Sequence, residues 1–326
     1  MNASPTDAPA IDADLALLQD RYRGLLYGLA LGDALAAPAQ HRRPGTFTRI
    51  GDLIGGGPYE LPRGAWTDDA AVALLLAESL TECGELVRAD AYDRLARWQT
   101  DGVGATTGQC LGITASMARE LARHATAPGT PVDAARIDRE PLLRAGIAAA
   151  FELADPERAI ELAADLARLT HDHPVVIDAC RYAAALAVGV LRGEPRDVLL
   201  APGYSPVPGL WQRQPLRREV AAVAAGGWQH IPEAPATLAG GDVLAALQLL
   251  LGGLARGTGY RDTVLAVVNL GLDADANGAL VGQFAGALYG LSSLPAHWVA
   301  DVADAGRIAA IADRLLAAAL ARIVAP

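Results

Sequence analysis

The chain has 326 residues, of which 52% are hydrophobic, and its 27 basic and 37 acidic residues give a net charge of −10. Such a charge repels phosphate backbones and anionic membranes, so the composition argues against direct binding to nucleic acid or a membrane surface. No run reaches the roughly 18 uncharged apolar residues typical of a membrane span. The three cysteines, Cys83, Cys110 and Cys180, are odd in number and widely spaced. Neither a disulfide framework nor a zinc site is indicated, and we expect a cytoplasmic protein.

The predicted fold class is all-α. Segments such as LLLAESL, ACRYAAALAVGVL and VLAALQLLLGGLA consist of helix formers with few β-branched runs. Residues 1–15 have no basic region followed by an apolar stretch, and we predict that they form a disordered lead. The length allows one large domain or two ordinary ones; we predict one compact domain over residues 16–326.

Two predicted helices carry glycines at every fourth position: Gly24, Gly28 and Gly32 in the first, and Gly278, Gly282, Gly286 and Gly290 in the second. Residues four apart share one helix face, and each glycine costs a helix about 1 kcal/mol relative to alanine. Close approach of a neighbouring element is the physical reason for such a stripe. We therefore predict that both helices are tightly packed in the core.

Carboxylates lie at the ends of these helices and at the start of a third: Asp33, Asp68, Asp69, Asp273 and Asp275. For the third helix, an ordinary helix start is one interpretation, with Thr67 as N-cap and two acids in the first turn. The other is that the five acids converge. Converging charges would repel strongly unless a divalent cation neutralised them, and Thr67 would then be a further oxygen ligand.

Four segments resemble, in the same order, motifs of the ADP-ribosylglycohydrolase family: GLALGDALAAPAQ, WTDDAAVALLLAESL, LARLTHDHPVVIDACRYAAALAVGVLRG and AVVNLGLDADANGALVGQFAGALYGLSSLP. The resemblance extends from about Tyr22 to Leu294. It implies a compact all-α fold with one or two Mg²⁺ (or Mn²⁺) ions in a cleft at helix ends. It also implies hydrolysis of the bond between C1″ of ADP-ribose, or a related ribosyl group, and an acceptor such as arginine or serine.

The resemblance also implies roles for individual residues. The implied metal ligands are Thr67, Asp68, Asp69, Asp273 and Asp275. Asp68 and Asp69 are also implied to be catalytic, together with Asp33, which the family places near the ribose. The candidate substrate-binding residues are Gln40, His171 in LTHDHP, and Trp228. His171 has the alternative role of a cap. Segment 200–240 is predicted to form a rim over the cleft, where Trp228 or His230 would stack on adenine, or where the tryptophan simply packs.

Three departures from the family pattern bear on activity. Where members usually read Asp-Thr-Asp-Thr, Ala274 and Ala276 replace the threonines, so we expect a weakened second ion site. Gln40 stands where many members have a glutamate, and an amide cannot act as a general base. Arg139, Glu140 and Pro141 replace glycines of a loop that approaches the diphosphate, where Glu140 would be repelled unless the loop points elsewhere.

Two functions therefore remain open from the sequence. One is a metal-dependent hydrolase acting on an ADP-ribosylated protein or a small ADP-ribosyl or ribosyl compound. The other is a catalytically silent relative that binds an ADP-ribose-like ligand or a protein partner. Neither the acceptor nor the oligomeric state follows from the residues.

Overall fold

The structure is a computed structural model that describes residues 8–130, 132, 134–230 and 236–324. Within them there are sixteen α-helices, no strand, and two isolated bridges, Gln40 with Leu272 and Gly56 with Leu61. The α-helices are α1 (Ala8–Ala36), α2 (Asp68–Cys83), α3 (Arg88–Asp101), α4 (Ala115–Thr126), α5 (Ala145–Phe151), α6 (Pro156–Ala167), α7 (Pro174–Arg192), α8 (Arg196–Leu199), α9 (Leu210–Arg213), α10 (Arg218–Ala224), α11 (Ala236–Ala239), α12 (Val243–Arg256), α13 (Tyr260–Val268), α14 (Ala274–Tyr289), α15 (Ala296–Asp301) and α16 (Ala305–Val324). Four 3₁₀ turns lie at Ala37–Ala39, Glu140–Arg144, Gly227–His230 and Leu291–Ser293. The predicted all-α class is confirmed.

The two glycine stripes pack on each other. A Cβ added to Gly24, Gly28 or Gly32 would lie 2.0 to 2.1 Å from the carbonyl oxygen of Gly286, Gly282 or Gly278, respectively. The pairing runs in opposite directions along the two chains, so α1 and α14 are antiparallel and in backbone contact. The prediction of close packing is confirmed. Gly290 is the exception: it follows the end of α14 with a positive φ of 80°, and a Cβ there would lie 1.9 Å from Asp20 Oδ2.

This packing brings the end of α1 beside the start of α14. It joins them further by two backbone hydrogen bonds: His41 N–H donates to Leu272 O (2.7 Å), and Leu272 N–H donates to Arg42 O (2.8 Å). Both His41 and Leu272 have positive φ, of 61° and 57°, which is uncommon for residues with side chains. The two residues with this unfavourable backbone conformation are therefore the ones that form the bridge between the two helix ends.

The predicted boundary at residue 15 differs from the structure. Helix α1 begins at Ala8, because no glycine or proline separates Ala10 from Gly24 and Pro9 is acceptable in a first helical turn. Residues 8–15 therefore belong to the first helix, and residues 1–7 of the predicted lead lie outside the described residues.

The core is formed largely by α1, α2, α7, α12 and α14. Of the described helices, α7 (Pro174–Arg192) is long and apolar enough by composition to cross a membrane, and 83% of its apolar window is buried inside the protein. It contacts α5, α6 and α14, which is the environment of a core helix. Short helices α8 to α11 make up much of the 196–239 connection.

Candidate active site

A cleft of about 490 Å³ opens where the end of α1 and the starts of α2 and α14 meet. This volume is within the usual range for small-molecule sites. Three loops complete its walls, around residues 112–116, 136–140 and 240–242. The lining residues are Gln40, His41, Asp68, Asp69, Gly112, Thr114, Ala115, Ser116, Arg136, Ile137, Asp138, Arg139, Glu140, Gly240, Gly241, Asp242, Asp273, Asp275 and Ala276.

Three buried carboxylates meet in this cleft. Asp68 and Asp69 begin α2, Asp275 lies in the first turn of α14, and one oxygen of each lies within 4.8 Å of the other two. Burial raises the pKa of Asp68 and Asp69 well above the usual range, and repulsion among the three acids raises both further. The pKa of Asp275 is also raised by burial. We name Asp68, Asp69 and Asp275 the carboxylate triad.

Asp33 lies directly behind the start of α2. Its Oδ2 accepts the backbone N–H groups of Thr67 and Ala70, each at 3.0 Å, and its Oδ1 accepts the Thr67 hydroxyl at 2.9 Å. Asp33 does not line the cleft. Burial, followed by repulsion from Asp275, raises its pKa to about 7. The structure therefore places this predicted catalytic acid as a support for the helix that carries Asp68 and Asp69.

This arrangement changes the role expected of Thr67. The residue is the N-cap of α2, but its side chain makes no capping hydrogen bond to its own helix. A carboxylate from α1 supplies the cap instead, and it is the better acceptor because it carries charge near the positive helix end. Since the Thr67 hydroxyl hydrogen points to Asp33, the lone pairs of that oxygen are left for other partners.

Gly112 packs closely against the Asp68 carboxylate. Its φ is +88°, and a Cβ there would lie 2.0 Å from Asp68 Oδ1. Only glycine combines this conformation with such close contact. Sequence reasoning missed Gly112, because the segment QCLGIT contains no motif that would relate this glycine to the carboxylates.

Gln40 contacts the triad directly. Its side-chain amide donates a hydrogen bond to Asp275 Oδ2, and its own oxygen, Oε1, is buried without a hydrogen-bond partner. A buried unpaired oxygen is costly. Gln40 thus lies where the sequence predicted a substrate-binding residue, within the cleft.

Asp273 is apart from the triad. Its side chain is 44% exposed, and its Oδ2 lies 3.2 Å from Arg139 NH2. Arg139 is buried and also donates to Ala239 O (2.9 Å) and to Asn277, so it ties the start of α14 to the neighbouring loop. This structural role explains why an arginine, Arg139, stands where family members usually have a glycine. The role depends on contacts with distant segments, so only the tertiary structure reveals it.

Glu140 turns inward. It forms a buried ion pair with Arg144, and its Oε2 accepts a hydrogen bond from the Thr114 hydroxyl at 3.1 Å. The charge that the sequence placed against a diphosphate is therefore compensated within the protein. Glu140 still adds to the repulsion that raises the pKa values of Asp68 and Asp69.

The structure places two other predicted substrate-binding residues away from the cleft lining. His171 is fully buried, with Nδ1 2.9 Å from Thr170 Oγ1 and Nε2 3.1 Å from Asp138 Oδ2. Trp228 is 7% exposed and belongs to the hydrophobic core, because its 3₁₀ turn packs against α12. The side chain of His230 lies outside the described residues.

These features define an all-α domain with an acid-lined cleft at the meeting point of three helix ends. The family model for ADP-ribosylglycohydrolase matches residues 14–323, and the chain belongs to that family, as its motifs indicated. A solved structure described as an ADP-ribosylglycohydrolase-related protein complex has a TM-score of 0.79 and 34% identity, covering 93% of this chain and 99% of that chain.

Two relatives with named activities are similar to most of the chain. The ADP-ribosylarginine hydrolase Tri1 of Serratia proteamaculans is 28% identical over 305 residues, covering 91% of this chain and 79% of the relative. The ADP-ribosyl-[dinitrogen reductase] glycohydrolase of Rhodospirillum rubrum is also 28% identical, over 293 residues, covering 87% of this chain and 91% of the relative.

Proposed function

We propose that this protein hydrolyses the bond between C1″ of ADP-ribose and an arginine side chain of a modified protein, with a divalent cation bound by the carboxylate triad. The observation that carries the proposal is the triad itself, three buried carboxylates with oxygens within 4.8 Å of one another. The relatives named ADP-ribosylarginine hydrolase support arginine as the acceptor.

The residues present fit a hard cation. All three triad ligands are carboxylate oxygens, the type that Mg²⁺ and Mn²⁺ prefer. Their raised pKa values show that the charged forms lack compensation within the protein. Two further candidate ligands are Gln40 Oε1, which has no hydrogen-bond partner and belongs to the amide that contacts Asp275, and the Thr67 oxygen, whose hydrogen is donated to Asp33. A bound cation would orient ribose hydroxyls and lower the pKa of a bound water.

The protein's own groups would contribute position and electrostatics. Asp33 caps the start of the helix that carries Asp68, and Gly112 packs against the Asp68 carboxylate, so little side-chain freedom remains to be lost on binding. Gln40 holds Asp275 through its amide. Because the amide of Gln40 cannot accept a proton from the attacking water, a carboxylate of the triad is the candidate general base, and we assign this role to Asp68 or Asp69.

A second ion would bind more weakly than the first. Ala276 lines the cleft with a methyl group where family members usually have a threonine hydroxyl. Asp273, a ligand implied by the resemblance, is already paired with Arg139. Both features remove oxygen ligands from the α14 side of the site. We therefore propose one principal ion held by the triad.

The test is release of free ADP-ribose from ADP-ribosylarginine peptide in the presence of Mg²⁺ or Mn²⁺. Asp69→Asn should lower the rate by at least about a hundredfold, because it removes a ligand and a candidate base. Asp93→Asn is the matched control; Asp93 is 64% exposed on α3 and should leave the rate unchanged. Binding of ADP-ribose without turnover by the parent would instead support the silent relative.

A further inference from the structure

Asp138 is a cleft carboxylate that the proposed chemistry does not use. Other acids on the cleft wall have clear compensation: Glu140 pairs with Arg144, Asp273 pairs with Arg139, and Asp242 caps the start of α12. Asp138 has no ion pair with an arginine among the described residues. Its side chain is 35% exposed, so it presents charge to whatever occupies the cleft.

The Asp138 carboxylate is held by buried groups on one side only. Its Oδ2 accepts the Ser116 hydroxyl at 2.5 Å and lies 3.1 Å from His171 Nε2. Hydrogen bonding from His171, stronger than the opposing effect of partial burial, lowers the pKa of Asp138 to about 2. Within the described residues, Oδ1 makes no hydrogen bond to the protein. One oxygen is therefore anchored and the other is available.

His171 has a polar neighbour at each ring nitrogen. Arg144 donates to Thr170 Oγ1 at 2.7 Å, and that same oxygen lies 2.9 Å from His171 Nδ1. Because the ionised Asp138 carboxylate can only accept, its 3.1 Å contact with Nε2 places a ring hydrogen on Nε2. Arg144, Thr170 and His171 are all buried, so this chain of hydrogen bonds fixes the direction of a carboxylate at its exposed end.

Asp138 lines the same cleft as the triad, on a wall whose side chains become more exposed from Glu140 to Arg136. Glu140 is 5% exposed and close enough to raise the pKa values of Asp68 and Asp69. Two residues earlier the Asp138 side chain is 35% exposed, and Arg136, two residues before that, is exposed. Side-chain exposure thus increases along this wall from Glu140, through Asp138, to Arg136. A substituent leaving a ribose at the triad along this wall would pass Asp138.

We propose that Asp138 binds the guanidinium of the acceptor arginine, with Ser116 and His171 as its positioning residues. The inference rests on the proposed function. A guanidinium carries a positive charge and several N–H donors in a fixed plane, and it matches an ionised carboxylate whose Oδ1 makes no hydrogen bond within the described residues. A serine-linked or free ADP-ribose has no cation to place there. Asp138 is thereby a determinant of acceptor specificity.

The test compares Asp138→Asn with the parent in two assays. In hydrolysis of ADP-ribosylarginine peptide, KM should rise at least about tenfold with kcat changed less than about threefold, since a charge-assisted contact is lost. In calorimetric titration, affinity for free ADP-ribose should stay within about twofold. His171→Gln should raise KM in the same direction by a smaller factor, and melting curves check that each variant is folded. Asp93→Asn is the charge-matched control.

Two results would overturn the proposal: an unchanged KM for the arginine-linked peptide, or a fall in ADP-ribose affinity as large as the rise in KM, which would assign Asp138 to the nucleotide. If the parent shows no turnover, the proposed function fails but Asp138 is still tested by binding. The parent should then bind ADP-ribosylarginine peptide more tightly than its serine-linked counterpart, and Asp138→Asn should abolish the difference. A preference that survives the substitution would also refute the role.

Discussion

Substituting Gly28 by alanine tests how the two glycine helices build the site. A Cβ on Gly28 would lie 2.1 Å from Gly282 O, whereas ordinary contacts begin at 3.4 Å. The clash is with backbone, which cannot rotate away, so α1 and α14 must separate locally by more than an ångström. The Gly28 carbonyl also accepts the Tyr260 hydroxyl at 2.9 Å, and this buried bond would be strained by the same movement.

The expected magnitude combines two opposing effects. Overpacking of a close contact costs about 1–3 kcal/mol, and contact with a backbone places Gly28→Ala at or beyond the upper end. Alanine recovers up to about 1 kcal/mol of helix propensity. The net loss is about 2 kcal/mol or more, which corresponds to a fall of about 3 °C or more in melting temperature for a chain of 326 residues.

Calorimetric melting without divalent cation measures this loss. Gly306→Ala is the matched control, because Gly306 lies in α16 and a Cβ there would meet nothing within 4 Å; it should melt at or slightly above the parent temperature. Separation of the helices should also move Asp275 away from Asp68 and Asp69, so Mn²⁺ should stabilise Gly28→Ala less than the parent. A variant that melts at or above the parent temperature would refute the close-packing argument.

Three further outcomes are expected. Without divalent cation, the melting temperature should fall as pH rises from about 4 to 8. Burial raises the pKa of Asp33 to about 7 and that of Asp68 well above its usual range, so over this range the folded state binds protons that the unfolded state has released. A rise in melting temperature between about pH 4 and 8 would contradict this expectation. Gly112→Ala should weaken Mn²⁺ binding in calorimetric titration by about tenfold or more through displacement of Asp68, whereas Gly108→Ala, which has similar backbone strain but no atom within 4 Å of a Cβ, should not. Ala276→Thr should strengthen binding of a second Mn²⁺, measured by paramagnetic resonance, and an unchanged number of bound ions at saturation would argue against a missing ligand there.

The repeated glycines and the apolar segments allowed the fold class to be predicted. A four-residue period identifies which face of a helix is bare, but it does not identify the partner. The structure shows that each stripe is the partner of the other. That pairing explains why Gln40, after the end of α1, contacts Asp275, 235 residues further along the chain.

Residues at helix starts were easier to relate to the site from the sequence than residues whose role depends on contacts between separate segments. Asp68, Asp69 and Asp275 begin helices, and a helix start fixes where an acid points, so sequence position was informative. The roles of Asp33 and Gly112 depend on which groups meet across separate segments. A cap supplied from another helix leaves no pattern in the sequence near Thr67.

The contacts of the polar residues on the cleft wall were harder still to predict from the sequence. Arg139 compensates Asp273 through an ion pair between residues 134 positions apart, and His171 orients Asp138 through a hydrogen bond between residues 33 positions apart. Burial requires each of these groups to find a partner, but which partner depends on the packing of α4, α7 and α14. Motif similarity indicated that His171 belongs to the site and could not indicate what it touches.

The most direct test of the account is a crystal structure with Mn²⁺ and ADP-ribose, in which anomalous scattering locates the ion. We expect the strongest peak among the carboxylates of Asp68, Asp69 and Asp275, with the C1″ end of the ribose beside it and a weaker peak, or none, beside Ala276. An ion bound elsewhere, or no peak at millimolar Mn²⁺ with ADP-ribose present, would contradict the assignment of the triad as the cation site of this protein.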